Sequence, residues 1–159
     1  AGKLTPDAED WFRRTMFVSS LPEMRVKPLN NAKKEVRGLP MGGHLERLHR
    51  LLEMRLLPSS RGRIVFIECT AKYSFEKVKE CLEDLKRGGL FKEAEAVLIC
   101  NFKHDGEERE KIMSLIKEMS TEIECPVFEG FQYGHIHDSR LLDFWRPLTI
   151  TSDGIMQWE

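Results

Sequence analysis

Ile64-Val65-Phe66-Ile67 and Ala96-Val97-Leu98-Ile99-Cys100 are uninterrupted apolar runs. Each is too short for a helix, and a strand without alternation has to be covered on both faces. Between them, Ser74 to Lys86 sets Phe75, Val78, Leu82 and Leu85 on one helical face, and Gly88-Gly89 ends that helix. A second cycle follows. Glu107 to Ser120 aligns Ile112, Leu115, Ile116 and Met119 on one stripe, and Pro126-Val127-Phe128 reads as a third strand. Leu148-Thr149-Ile150, a Ser-Asp-Gly turn and Ile155-Met156-Gln157-Trp158 read as a β-hairpin. Strand, helix, strand, helix, strand and hairpin define an α/β domain, a small mixed β-sheet with flanking helices.

The N-terminal part is less regular. Thr5 as N-cap, Pro6 at the first helical position and acids in the first turn start a helix. Ser19 to Pro40, with three prolines and Asn30-Asn31, reads as a connecting segment holding at most one short strand near Val36. Gly42-Gly43 then opens a helix on which Leu45, Leu48, Leu52 and Leu56 recur, and Pro58 stops it. The expected organisation is a single domain over 1–159: a leading helix and connecting segment over 1–35, and an α/β body over 36–159.

Net charge is −1, from 25 basic and 26 acidic residues, with no long block of one sign, so nucleic acid is not an expected partner. No apolar run approaches the roughly 20 residues of a membrane span. Cys69, Cys81, Cys100 and Cys125 form no C-x-x-C pair, and three lie in apolar runs. Buried reduced thiols and a cytoplasmic location are therefore expected. No metal ligand set is expected either. His44 and His49 are five apart rather than four, and no H-E-x-x-H spacing occurs.

Functional groups in α/β domains collect where strands end. Glu68 follows the first apolar strand, where a carboxylate is costly unless paired. His135 follows the third, after Gly134, in a loop rich in aromatics; a histidine so placed serves as a general base if a carboxylate orients it. His137 competes for the same role, and His104, in a Lys-His-Asp-Gly turn, reads as solvated. There is no G-x-S-x-G elbow. Ser19-Ser20, Ser59-Ser60, Ser74 and Ser139 sit in turn or cap contexts. Composition and spacing thus supply an acid and a base without a nucleophile.

Four segments taken in order resemble one family. Gly38-Leu39-Pro40-Met41-Gly42-Gly43-His44-Leu45 is similar to a G-x-x-x-G-G-N-L stretch. Arg63 to Glu68 resembles an ILFLE strand. Leu82 to Phe102 resembles an L-x-x-L-x-x-x-G-x-F…G-R-F region, and Pro126 to His135 with Arg146-Pro147-Leu148 resembles a P-V…G-H…P-L-G segment. Together they resemble the C-terminal domain of the serine L,D-carboxypeptidases, the peptidase family that includes the microcin C immunity proteins.

The resemblance implies a swivelling β/β/α domain with Glu68 as triad acid, His135 as triad base, and substrate contacts at Gly42, Gly43 and His44. It implies neither metal nor cofactor, and it implies a peptide substrate of the murein kind. The nucleophilic serine would come from an N-terminal domain, in the same gene or a separate chain. That domain is absent here, so the isolated chain is expected to be inactive. Homodimerisation is a further partner option the family implies. The chain departs from the pattern at His44 (asparagine in the family), at Cys100-Asn101-Phe102 (Gly-Arg-Phe) and at Thr149 (glycine). A non-catalytic binding module that keeps the fold is the alternative, and a small enzyme using water with Glu68 and His135 is a third reading.

Overall fold

The computed structural model describes residues 4–17, 21–31 and 34–159. Among these are helices α1 (Pro6–Phe17), α2 (Leu45–Glu53), α3 (Phe75–Arg87) and α4 (Gly106–Ser120). The strands are β1 (Met24–Arg25), β2 (Lys27–Pro28), β3 (Val36–His44), β4 (Arg63–Thr70), β5 (Ala96–Lys103), β6 (Val127–Glu129), β7 (Leu148–Ile150) and β8 (Ile155–Trp158).

All eight strands form one sheet in the order β1-β8-β7-β3-β4-β5-β6-β2. Strands β3 to β6 run parallel, joined by helical crossovers, while the β7–β8 hairpin and the two short strands pair antiparallel. The sheet is mixed, as expected, and larger than the sequence indicates. Strands β1 and β2 lie at its opposite edges, yet only Val26 separates them in the chain. The sheet therefore wraps nearly shut, and Val26 N–H donates to the Gly154 carbonyl (2.8 Å) at the closure.

Alternation along each strand divides the apolar residues between two cores. Ile64 and Phe66 of β4 face inward with Leu98, Phe128 and Phe131, where Trp11 of α1 plugs the wrap. Val65 and Ile67 face outward, against Leu82 and Leu85 of α3 and Ile112 and Ile116 of α4. Each such side chain, at most 3% exposed, contributes about 1.5–3 kcal/mol of burial free energy. Ser74 caps α3 by accepting from Lys77 N–H (3.4 Å).

Two elements differ from expectation. The segment containing Pro40 and Gly42-Gly43 is the nine-residue strand β3, not a connection and a helix start. Pro40 is tolerated because β7 pairs only Val36 to Gly38, so no strand on that side calls for the missing N–H. Helix α2 stops at Glu53, and Leu56 is solvent-exposed. The stop is a left-handed turn at Arg55 (φ 58°), after which Leu56 N–H reaches the Leu51 carbonyl at 2.8 Å. That role usually falls to glycine, which is why the leucine repeat reads through it.

Candidate active site

Glu68 lies two residues beyond Phe66 on β4, and the β4–β5 register shifts between Ile67 and Cys69 around it. Its side chain is only 4% exposed, so the carboxylate needs a partner to offset lost hydration. That partner is His135, whose Nδ1 lies 3.1 Å from Oε1 and 3.0 Å from Oε2. With its proton on Nδ1, the ring donates to the carboxylate; this fixes the tautomer and leaves Nε2 basic. The His135 side chain is 60% exposed. The acid is buried and the base opens to solvent.

The loop after β6 holds His135 through its own backbone. Gly134 N–H donates to Ser139 Oγ (3.1 Å), and Arg140 N–H donates to the Gln132 carbonyl (2.7 Å). Gly134 has φ +124°, and a Cβ there would lie 2.9 Å from Cβ and Oε2 of Glu68. Only glycine lets the loop approach the carboxylate this closely.

His44 ends β3 in register with Glu68. Its ring centroid is 5.5 Å from that of His135 and 5.3 Å from that of Tyr73. Nε2 is 3.4 Å from Thr70 Oγ1, and Nδ1 is buried without a hydrogen-bond partner among the described residues. Burial holds the His44 imidazolium below its usual pKa; Glu68 opposes this shift and His135 adds to it.

A cavity of about 410 Å³ opens here, lined by His44, Arg47, Thr70, Lys72, Tyr73 and His135. Of the expected substrate contacts, His44 faces this cavity and the two glycines do not line it. Gly42 is instead pressed on the Phe66 backbone, where any side chain would collide with the Phe66 carbonyl. Arg47, Thr70, Lys72 and Tyr73 are missing from the sequence reading. The one signal for Lys72 and Tyr73 is their place just past β4.

The other candidates have structural partners. His137 faces its neighbour Asp138 (3.1 Å) and is exposed. His49 is buried and bonds Asp84 (2.8 Å), tying α2 to α3. His104 is not solvated: it is 1% exposed, and its Nε2 lies 2.7 Å from the Tyr73 carbonyl. The reason is that β5 runs on to Lys103 and turns back under the loop that follows β4. Ser59 bonds Glu93, Ser74 caps α3 and Ser139 braces the His135 loop. Ser19 and Ser20 lie outside the described residues.

The sequence matches the family model for the LD-carboxypeptidase C-terminal domain over residues 37–149. A muramoyltetrapeptide carboxypeptidase from Oxalobacter formigenes superimposes with a TM-score of 0.79 at 22% identity, covering 99% of this chain and 55% of that one. An MccF-like protein from Streptococcus pneumoniae, solved in complex with AMP, gives 0.81 at 14% identity, covering 99% and 58%. MccF in complex with glutamyl sulfamoyl guanosine gives 0.64 at 23% identity, covering 84% and 40%. At these identities the likeness is one of fold. The chain spans between 40% and 58% of the length of these relatives. No curated protein sequence matches it.

Proposed function

The chain belongs to the LD-carboxypeptidase C-terminal domain family, and from that premise we propose that it is the acid–base half of a serine-type carboxypeptidase. The observation that carries this reading is the buried Glu68 carboxylate bonded to Nδ1 of the exposed His135. His135 Nε2 takes the proton of a serine hydroxyl supplied by an N-terminal domain, and the serine oxygen attacks the amide carbonyl. The proton then passes from Nε2 to the leaving amine. Glu68 holds the ring in the required tautomer and stabilises its charged form.

The cavity beside His135 suits a peptide end. Arg47 and Lys72 on its wall offer positive charge to a terminal carboxylate, which supports cleavage near the C-terminus of a murein peptide or a related conjugate. Leu141, Phe144 and Trp145, all exposed, follow His135 on the same loop, and Trp145 is 91% exposed. The Trp11 indole of α1 bonds the Leu141 carbonyl (3.0 Å), so exposed Phe12 and Met16 belong to the adjoining helix. Apolar surface of this extent supports a docking domain.

The test is D-alanine release from a murein tetrapeptide, by this chain and by the longest product of its gene. The expected result is no release by the chain and turnover by the longer product. Release by the chain alone would overturn the reading, because a nucleophile or an activated water would then be present in it. Inactivity of both would favour the binding module, to which His44 and Asn101 already point as departures from the family pattern.

A further inference from the structure

The elements that bring the acid and the base together also bring a third donor. We propose that His44, Glu68 and His135 form a binding site for a divalent transition-metal ion of the zinc type, which competes with the Nδ1 proton of His135. One ligand atom from each residue lies within 4.8 Å of the other two. Donors around tetrahedral zinc sit about 2.0–2.2 Å from the ion and so about 3.3 Å from one another. The Glu68 oxygens are already 3.0 and 3.1 Å from His135 Nδ1, within a few tenths of an ångström of that separation.

His44 is free to join. Its Nδ1 is buried without a partner among the described residues, and its Nε2 makes only a 3.4 Å contact with Thr70. Two imidazoles and a carboxylate are a donor set that suits zinc, and three protein ligands leave the fourth position open. Both histidines line the cavity together with Arg47 and Lys72, whose positive charges favour an anion or hydroxide as the fourth ligand. The ligands come from the end of β3, from β4 and from the loop after β6, so no short sequence spacing betrays them.

An ion on His135 Nδ1 displaces that proton, which returns through solvent to Nε2. The nitrogen that served as the base is then an N–H donor, and Glu68 is committed to the metal. The metal site stands independently of hydrolysis; its inhibitory consequence rests on the function proposed above.

The experiment is calorimetric titration of zinc chloride into the chelator-stripped chain, with His44→Asn, His135→Gln and Asp84→Asn alongside. Asp84 belongs to a second cluster, with His49 and Glu80, that could also gather donors. One ion per chain is expected, with binding weakened at least about tenfold in both His44→Asn and His135→Gln and unchanged in Asp84→Asn. Glutamine at 135 keeps a side-chain N–H that can donate to the buried Glu68 carboxylate, and circular dichroism melts check that all three variants are folded. Absence of binding, unaltered binding in either histidine variant, or loss in Asp84→Asn would each overturn the proposal. The D-alanine assay is unaffected by any of these outcomes, so failure here and failure of the functional reading are separable.

Discussion

A methyl group added at Gly134 would press on Cβ and Oε2 of Glu68, at a backbone angle that side chains rarely adopt. Gly134→Ala therefore carries a backbone cost of about 1–3 kcal/mol and also shifts the carboxylate away from His135. In the two-domain hydrolase proposed above it should lower Tm and reduce kcat more than it raises KM; an unchanged kcat would mean that alignment of the pair does not matter. Glu68→Gln keeps the shape but removes the charge that balances the imidazolium. It should cost turnover by about 10^4-fold with little change in the circular dichroism spectrum. His135→Ala should abolish turnover, and near-wild-type rates for either variant would sink the triad assignment.

The elements are joined by polar residues whose partners lie far away in sequence. Asn30 Nδ2 donates to the carbonyls of Ser120 (3.2 Å), Ile123 (3.2 Å) and Cys125 (2.9 Å), and its Oδ1 accepts from Val127 N–H (3.1 Å). One side chain thus fastens the end of α4 and the start of β6 to the segment after β2. Asn30→Asp keeps the acceptor and loses the donors, leaving carbonyls unpaired beside a new charge. A loss of about 2–3 kcal/mol in urea-induced unfolding is expected, against about 1 kcal/mol for removing the α3 cap in Ser74→Ala. A smaller effect for Asn30→Asp than for Ser74→Ala would show that the hub is ornamental.

For the molecule as a whole, the wrapped sheet covers one core and the helices against its outer face cover the other, and the thiols report both: Cys100 lies in the first and Cys69, Cys81 and Cys125 in the second. Burial pushes Cys69 up to about 12 and Cys81 and Cys125 up to about 11, and raises Cys100 well above the ordinary thiol value. Below the unfolded thiol value of about 8.5 both states hold their protons, so the shift has no effect on stability. Above it the unfolded chain releases protons that the folded chain retains, and stability falls as pH rises toward the folded values. Thermal melts should therefore show Tm declining from about pH 8.5 upward. All four thiols should resist a disulfide reagent near neutrality until the chain unfolds; rapid labelling of the native chain would contradict the dry interior.

Local pattern determined the parts whose order comes from their own residues. The runs at Ile64 and Ala96, the stripes of α3 and α4, the β7–β8 hairpin and the Pro6 helix start were all legible, because propensity and periodicity act over a few neighbours. Glu68 and His135 were legible as candidates because strand ends and a glycine loop mark such positions. Their pairing at 3.0 Å came from tertiary structure, as did the burial of His104, the strand built through Pro40 and Gly42, and the closure at Val26. In each of these cases the deciding partner is remote. Phe66 selects a glycine at 42, Tyr73 supplies the acceptor for His104, and Glu68 requires that nothing larger than hydrogen stand at 134. A sequence records its own propensities directly and its distant contacts only through residues that would otherwise be out of place.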